Sequence, residues 1–298
     1  MKPNVRALTG RLRHVPAVQD FLLSKNTTIG IGGRAPLAFY PRSCDEMCEV
    51  LAVLAEYDMP FQILGNGSNV LASDAGYSGV IVKTDNLTAI RAEGEIIAAE
   101  SGASIASILA AAKEIGLGGL SFMAGIPASL GGALFMNAGA RGYYIGSEVV
   151  SVNVFEEGKS CILSAKDCKF SYKHTRFMEN SSIILNARLR FRSQSPQAVS
   201  DEIQETLAFR SALPKGRSMG CVFKNGPSYS AGELIDRVGL KGVRCGGAIV
   251  SSQHANFIIN CGGATSEDVM RLICMIKEKV LSETGVELAE EIRYIGEF

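Results

Sequence analysis

Apolar positions along this chain change period repeatedly, and each change marks an element. Over residues 44–57 they fall at Met47, Val50, Leu51 and Leu54, the three-and-four spacing of an amphipathic helix. Residues 104–115 read as another helix, opened by Ser104 as cap. Residues 199–209, 231–238 and 266–284 give three more. The last places Val269, Leu272, Ile273, Ile276 and Val280 on one face and opens on Ser266, Glu267 and Asp268, a cap and first-turn acids. Short apolar or alternating runs predict strands at 37–40, 61–64, 80–82, 96–99, 149–155, 160–164 and 183–191, then at 221–223, 248–251, 257–260 and 292–295. The polar, proline-bearing run 193–198 predicts a boundary. The pattern therefore divides into an N-terminal arm (1–23), a mixed α+β domain (24–192) and a smaller α/β domain (199–298).

Residues 116–140 carry no charge, which is long enough to span a bilayer. Seven glycines and Pro127 within them make a poor helix, and unpaired backbone is not tolerated in lipid. A buried, glycine-rich, ligand-lining segment is the better reading. The 298 residues balance 30 basic against 30 acidic side chains, so no broad attraction to nucleic acid or anionic membrane is expected. Eight cysteines form no CxxC pair and only three histidines accompany them, so no metal site is expected. Residues 1–20 have no apolar core of a signal peptide, and the cysteines read as reduced thiols of a cytoplasmic protein. Nothing in the sequence requires an obligate protein partner.

Five segments carry chemistry. Gly65-Asn66-Gly67-Ser68-Asn69 follows a buried strand, and its glycines can turn backbone amides inward into a nest for phosphate; a plain strand-to-strand turn is the alternative. Gly125-Ile126-Pro127-Ala128-Ser129, then Gly131-Gly132 and Asn137-Ala138-Gly139, bring backbone close to a second site. Two such segments suit a pyrophosphate, as in FAD or a nucleotide; a glycine-rich core crossing is the alternative. Seven basic residues lie between Arg210 and Arg244, around Cys221-Val222-Phe223-Lys224-Asn225, with only Glu233 and Asp236 opposing them. They can seat a dianionic ligand or form a solvated face. His254 and Asn256 precede an apolar strand, where a structural role is favoured. In the tail, strand alternation puts Glu291 and Arg293 on one face, the pattern of an exposed edge strand with a salt bridge.

In order, the motifs GNGSN, AGIPxSxGG with MNAG, FxYxxT, GxVFKN, LID with GLKG, HANFIIN and EIRxIG resemble the UDP-N-acetylenolpyruvoylglucosamine reductase family over nearly the whole chain, in its shorter, second type. The resemblance implies an FAD-binding domain of the vanillyl-alcohol-oxidase type, built of two subdomains, followed by a smaller α/β domain for a UDP-sugar. It implies non-covalent FAD held by Gly65 to Asn69, Gly125 to Pro127, Ser129, Gly131, Gly132, Asn137 and Gly139. It further implies NADPH as reductant and transfer of hydride to an enolpyruvyl group. Catalytic positions would be Cys221 (where the family usually has serine) as proton donor, Glu291, and Lys173 (where it has arginine). Lys173 can offer charge to a carboxylate but not the bidentate fork of arginine, and nearby Arg176 is a second candidate for that charge. Arg210, Lys224, Asn225 and Arg293 would meet the substrate, and Arg141 would approach sugar or phosphate. The departures at Lys173 and Cys221 leave two alternatives: a catalytically impaired flavin-binding relative, or a flavin oxidoreductase with another substrate.

Overall fold

The computed structural model describes residues 5–298. Seven helices span Val5–Arg11 (α1), Cys44–Glu56 (α2), Ile105–Glu114 (α3), Leu130–Phe135 (α4), Pro196–Arg210 (α5), Ala231–Arg237 (α6) and Ser266–Thr284 (α7). The predicted helices form within a few residues of their expected ends; most pair an apolar stripe with a cap, while α5 buries only Val199 and Thr206 and rests on its Ser195 cap and Pro196. Ser43 caps α2 through the Glu46 amide, and Ser104 caps α3 through that of Ser107. The cap of α7 lies one residue earlier than expected, at Thr265, which exchanges hydrogen bonds with Asp268 in a capping box.

Three sheets organise the chain. The first has the order Ala17–Leu22, Arg34–Phe39, Val80–Lys83, Phe61–Leu64, with the last three strands parallel. On one face α1 and α2 close a core of Leu8, Leu12, Leu37, Phe39, Met47, Val50, Leu54, Val80 and Val82. The second is antiparallel and five-stranded, in the order Lys159–Ser164, Val149–Glu156, Ile183–Arg190, Ile96–Glu100, Ile90–Glu93. Its core draws in Ile105, Ile108, Leu130, Leu134 and Phe191. The third, Arg217–Cys221, Phe257–Asn260, Ala248–Val250, Arg244–Cys245, packs with α6 and α7 around Val222, Phe223, Leu234, Ile235, Ile258, Leu272 and Ile276.

Several elements depart from the sequence pattern. The expected arm contains a strand, Ala17–Leu22, which pairs antiparallel with Arg34–Phe39. As an edge strand it buries only Phe21 fully, so it shows no alternation to read. Residues 1–4 of that arm lie outside the described residues. The strand expected at 221–223 lies earlier, at Arg217–Cys221, with a bulge between Ser218 and Cys221. Helix α4 forms inside the glycine-rich run, with Ser129 as its cap. Among the described residues no helix is long and apolar enough to cross a membrane.

The final strand, Arg293–Ile295, pairs in parallel with Val70–Ala72, directly after the GNGSN turn. Asp74 accepts from the Ser266 amide at the start of α7, while the Asp74 amide donates to Ser266 Oγ. Chain end and α7 are thereby fastened to the first half of the molecule.

Candidate active site

Lys173, in a turn, Cys221, at the end of a strand, and Glu291, just before the last strand, converge from three parts of the chain. Lys173 lies in a tight turn closed by Ser171 and His174, which exchange backbone hydrogen bonds. It adopts φ +51°, a left-handed conformation uncommon for a non-glycine residue. Two anchors impose it. Asn137 Nδ2 donates to the Ser171 carbonyl at 2.8 Å, and the fully buried Thr175 hydroxyl donates to the Phe135 carbonyl at 2.8 Å. The result places Lys173 Nζ 2.6 Å from Glu291 Oε1, with side chains only 15% and 13% exposed.

Glu291 is fixed by its backbone. Its amide donates to the Val222 carbonyl, its carbonyl accepts from Asn69 Nδ2 at 3.1 Å, and the Arg293 amide donates back to the Asn69 carbonyl. The last residue of the GNGSN turn thus brackets the tail. The regular strand begins only at Arg293, so alternation does not govern Glu291. Its salt bridge is to Lys173, not to Arg293, whose guanidinium lies 5.4 Å over the Phe135 ring. Cys221 ends its strand after Gly220, which takes φ +75°. Burial first, and the Glu291 charge second, push the thiol up to about 11, against the pull of Lys173 and Arg210. All three charges therefore bear on one sulfur, which stays protonated at neutral pH.

Arg176 is directed elsewhere: its Nη2 donates to both carboxylate oxygens of Glu156, at 2.7 and 2.8 Å. Lys173 is the cation that meets Glu291. Asn225 accepts from the Ala231 amide through Oδ1, capping the entry to α6, and its own amide donates to the Tyr172 hydroxyl at 3.0 Å. The Lys224 amide donates to the Ala289 carbonyl. The basic segment does not form one patch. Lys241 pairs with Asp236, and Arg217 runs against Gly30. Arg210 crosses Gly125, where an added Cβ would lie 3.2 Å from its Cδ and Nε. Arg141 lies over Phe209 at 5.1 Å and pairs with Glu205, so its guanidinium rests on α5.

The two glycine-rich segments meet. A Cβ at Gly65 would come within 2.3 Å of Ser129 Oγ, one at Gly67 within 2.2 Å of the Asn26 carbonyl, and Asn66 Nδ2 donates to the Pro127 carbonyl at 3.2 Å. Other members of the set are used within the protein. The Gly131 amide donates to the Ser101 carbonyl, the Gly132 amide to Ser129 Oγ, and the Ile126 amide to the Met123 carbonyl. Asn137 accepts from the Gly146 amide as well as anchoring Ser171, and Gly139 lies in the hairpin paired with Tyr143–Tyr144. These hydrogen bonds hold the glycine-rich run against its own neighbours.

The GNGSN turn itself borders a cavity of about 420 Å³ lined by Lys25, Thr27, Thr28, Asn66, Lys83 and Gly102, among others. Among the described residues, the amides of Asn66, Gly67 and Ser68 donate no hydrogen bond. The hydroxyls of Thr84 (3% exposed) and Ser101 (1%) have no partner among them either; they flank Gly65 and Gly131. The unused amides of the turn, with Lys83 and Lys25 on the cavity wall, are donors an anionic diphosphate would satisfy. The residues present fit a dinucleotide.

Sequence reasoning missed three contributors, Tyr172, Lys83 and Thr84, and named a fourth, Asn256, without its role. Asn256 clamps Phe223 from both sides, Oδ1 accepting from its amide and Nδ2 donating to its carbonyl, each at 2.8 Å. Tyr172 carries the hydroxyl that holds Asn225, Lys83 lines the cavity, and Thr84 lies beside it. Only Lys83 left a signal, a lysine ending an otherwise apolar strand. His254 takes the structural role expected of it: its Nδ1 accepts from the Asn256 amide.

Fold and site together define a flavin-dependent oxidoreductase. Residues 35–159 match an FAD binding domain, and residues 212–295 match the C-terminal domain of UDP-N-acetylenolpyruvoylglucosamine reductase. A relative of that name from Moorella thermoacetica is 41% identical over 300 residues, covering 99% of each chain. The chain belongs to the UDP-N-acetylenolpyruvoylglucosamine reductase family. A crystal structure of UDP-N-acetylenolpyruvylglucosamine reductase from Thermus caldophilus superposes with a TM-score of 0.81 at 31% identity, covering 94% of this chain and 98% of that one. An alkyldihydroxyacetonephosphate synthase, at 14% identity and a TM-score of 0.50 over 64% of this chain and 41% of its own, shares the fold alone. The fold is thus the expected α+β one, an FAD-binding domain followed by a smaller C-terminal domain.

Proposed function

We propose that this chain reduces UDP-N-acetylglucosamine enolpyruvate to UDP-N-acetylmuramate with NADPH as reductant, in the cytoplasm, as a step of peptidoglycan precursor synthesis. The observation that carries the reading is the meeting of Lys173 and Glu291 at 2.6 Å, from positions 118 residues apart, around a Cys221 whose thiol responds to both. Bound FAD, reduced by NADPH, would supply hydride to the methylene carbon of the enolpyruvyl group.

The chain's own residues handle the charge that results. Hydride addition leaves an electron pair on the carbon beside the substrate carboxylate. Lys173, with three ammonium donors, can keep Glu291 and still donate to that carboxylate, so negative charge is stabilised where it develops. The Cys221 thiol, protonated up to about pH 11, delivers the proton to that carbon, and the thiolate regains one from solvent. Burial disfavours the thiolate, which favours transfer back to sulfur between turnovers. Glu291 holds the Lys173 ammonium in place and polarises the thiol. Arg210, half-buried beside Gly125 and close enough to act on Cys221, is the group best placed for an anionic part of the UDP-sugar. Lys224, Asn225 and Arg293 are assigned the remaining substrate contacts. In this reading Gly65 to Asn69 hold the FAD diphosphate, Gly125 to Ser129 and Gly131, Gly132, Asn137 and Gly139 shape the cleft wall, and the limits 24–192 and 199–298 separate cofactor and substrate domains.

Anaerobic reduction of the bound flavin by NADPH, followed by UDP-N-acetylglucosamine enolpyruvate, tests this. Bleaching and then prompt reoxidation is expected. Bleaching without reoxidation would mean another electron acceptor.

A further inference from the structure

Lys83 lies outside the catalytic trio and has a place that packing alone does not explain. It ends the strand Val80–Lys83, in register with Leu64 on the parallel strand Phe61–Leu64, so both strands deliver their C-terminal ends to the GNGSN turn. That is where open parallel sheets seat ligands. The residue is 3% exposed. Its Nζ donates to the Gly65 carbonyl at 2.7 Å and lies 3.0 Å from Asp85 Oδ1. Two contacts use two of its three donors, and the side chain lines the cavity of about 420 Å³.

We propose that Lys83 is the positioning charge of the flavin site: it caps the Gly65 carbonyl and sets a positive field across the turn that receives the FAD diphosphate. The inference rests on the reading of the GNGSN turn as the diphosphate seat. A carbonyl at the mouth of an anion-binding turn repels the anion it should admit. An ammonium bonded to that oxygen cancels the repulsion and leaves the amides of residues 66–68 to dominate. Asp85 lines the same cavity but is 44% exposed, so solvent screens its charge more than that of Lys83, and with Lys25 two lysines stand against one carboxylate there, so the balance stays positive. Burying an ammonium is costly, and burial lowers the Lys83 pKa while Asp85 opposes that shift. An apolar side chain would fill the strand end without that cost, but could neither cap Gly65 nor face an anion.

The test is titration of apoprotein with FAD, followed by flavin fluorescence, on four variants. Lys83→Met should raise the FAD dissociation constant roughly tenfold or more, the range for losing a charge-assisted contact. Lys83→Gln keeps a donor for the Gly65 carbonyl without the charge and should weaken FAD similarly; it also serves if Lys83→Met fails to fold. Asp85→Asn should leave affinity unchanged or tighten it. Ser68→Asp puts a negative charge in the turn and should weaken FAD. Native-like affinity in Lys83→Gln, or equal weakening by Asp85→Asn, overturns the proposal, because a purely structural ion pair loses as much from either side. Native-like affinity in Ser68→Asp overturns the reading of the turn itself.

Discussion

Cys221 has both proton and environment for a general acid. Its thiol is held neutral chiefly by burial, while Lys173 and Arg210 stand ready to stabilise the thiolate. Cys221→Ala should lower kcat by about 10²–10⁴-fold, the usual range for a positioned proton donor, without releasing flavin. Cys221→Ser should recover much of that loss. Stopped-flow reoxidation of pre-reduced enzyme measures both, and flavin lost from Cys221→Ala would show the residue to be structural. At Lys173 the expectation is sharper still. Lys173→Met removes the cation and leaves Glu291, 13% exposed, without its partner. Truncating one side of a buried pair costs about 3–5 kcal/mol. Both the melting temperature and kcat should fall, and Lys173→Met/Glu291→Gln should restore the melting temperature but not turnover.

At the scale of elements, the site depends on turns held by side chains from elsewhere. The Ser171–His174 turn is pinned to the glycine-rich segment by Asn137, which itself takes φ +42° and ties Gly146 as well. Asn137→Ala should free the turn, costing about 1–3 kcal/mol for the buried groups left unpaired and reducing kcat more than flavin affinity. A parallel loss of flavin would place Asn137 in the cofactor site instead. Gly125 takes φ +77°, and Arg210 lies across it. Gly125→Ala strains the backbone and displaces Arg210, so KM for the UDP-sugar should rise while reduction by NADPH is little changed. Steady-state kinetics against single-turnover reduction separates the two.

Across the whole molecule, ionisation couples to stability through several buried thiols. Cys44, Cys168 and Cys221 each rise from 9.0 to about 11, with burial the leading cause. Tyr294, half-buried and bonded to Glu290, shifts upward as well. A raised folded value means the native state holds its proton longer than the unfolded chain does. That stability is complete below pH 9 and is lost as pH rises through about 11. The melting temperature should therefore hold up to about pH 9 and decline above it. A flat profile from pH 9 to 11 would show these thiols to be solvated in the native state.

The sequence by itself determined the local elements and the chemistry of individual positions. Periodicity placed α2, α3, α6 and α7 because an amphipathic stripe and its cap are local properties. Glycine spacing marked the GNGSN turn because positive φ is a local demand, met at Gly67. Motif order pointed to the flavin fold and to Cys221, Lys173 and Glu291. Tertiary structure decided what those positions meet. The edge strand Ala17–Leu22 has no alternation to read, since only one of its faces finds a core, and then only at Phe21. Whether Lys173 or Arg176 faces the tail depended on which carboxylate each could reach across the fold: Glu291 for one, Glu156 for the other. Asn137 and Asn225, expected to meet cofactor and substrate, also brace turns of the fold, because an amide that closes a turn looks the same in sequence as one that binds a ligand. Burial made Lys83 and Cys221 what they are, and burial is a property of the packed chain, not of the residue.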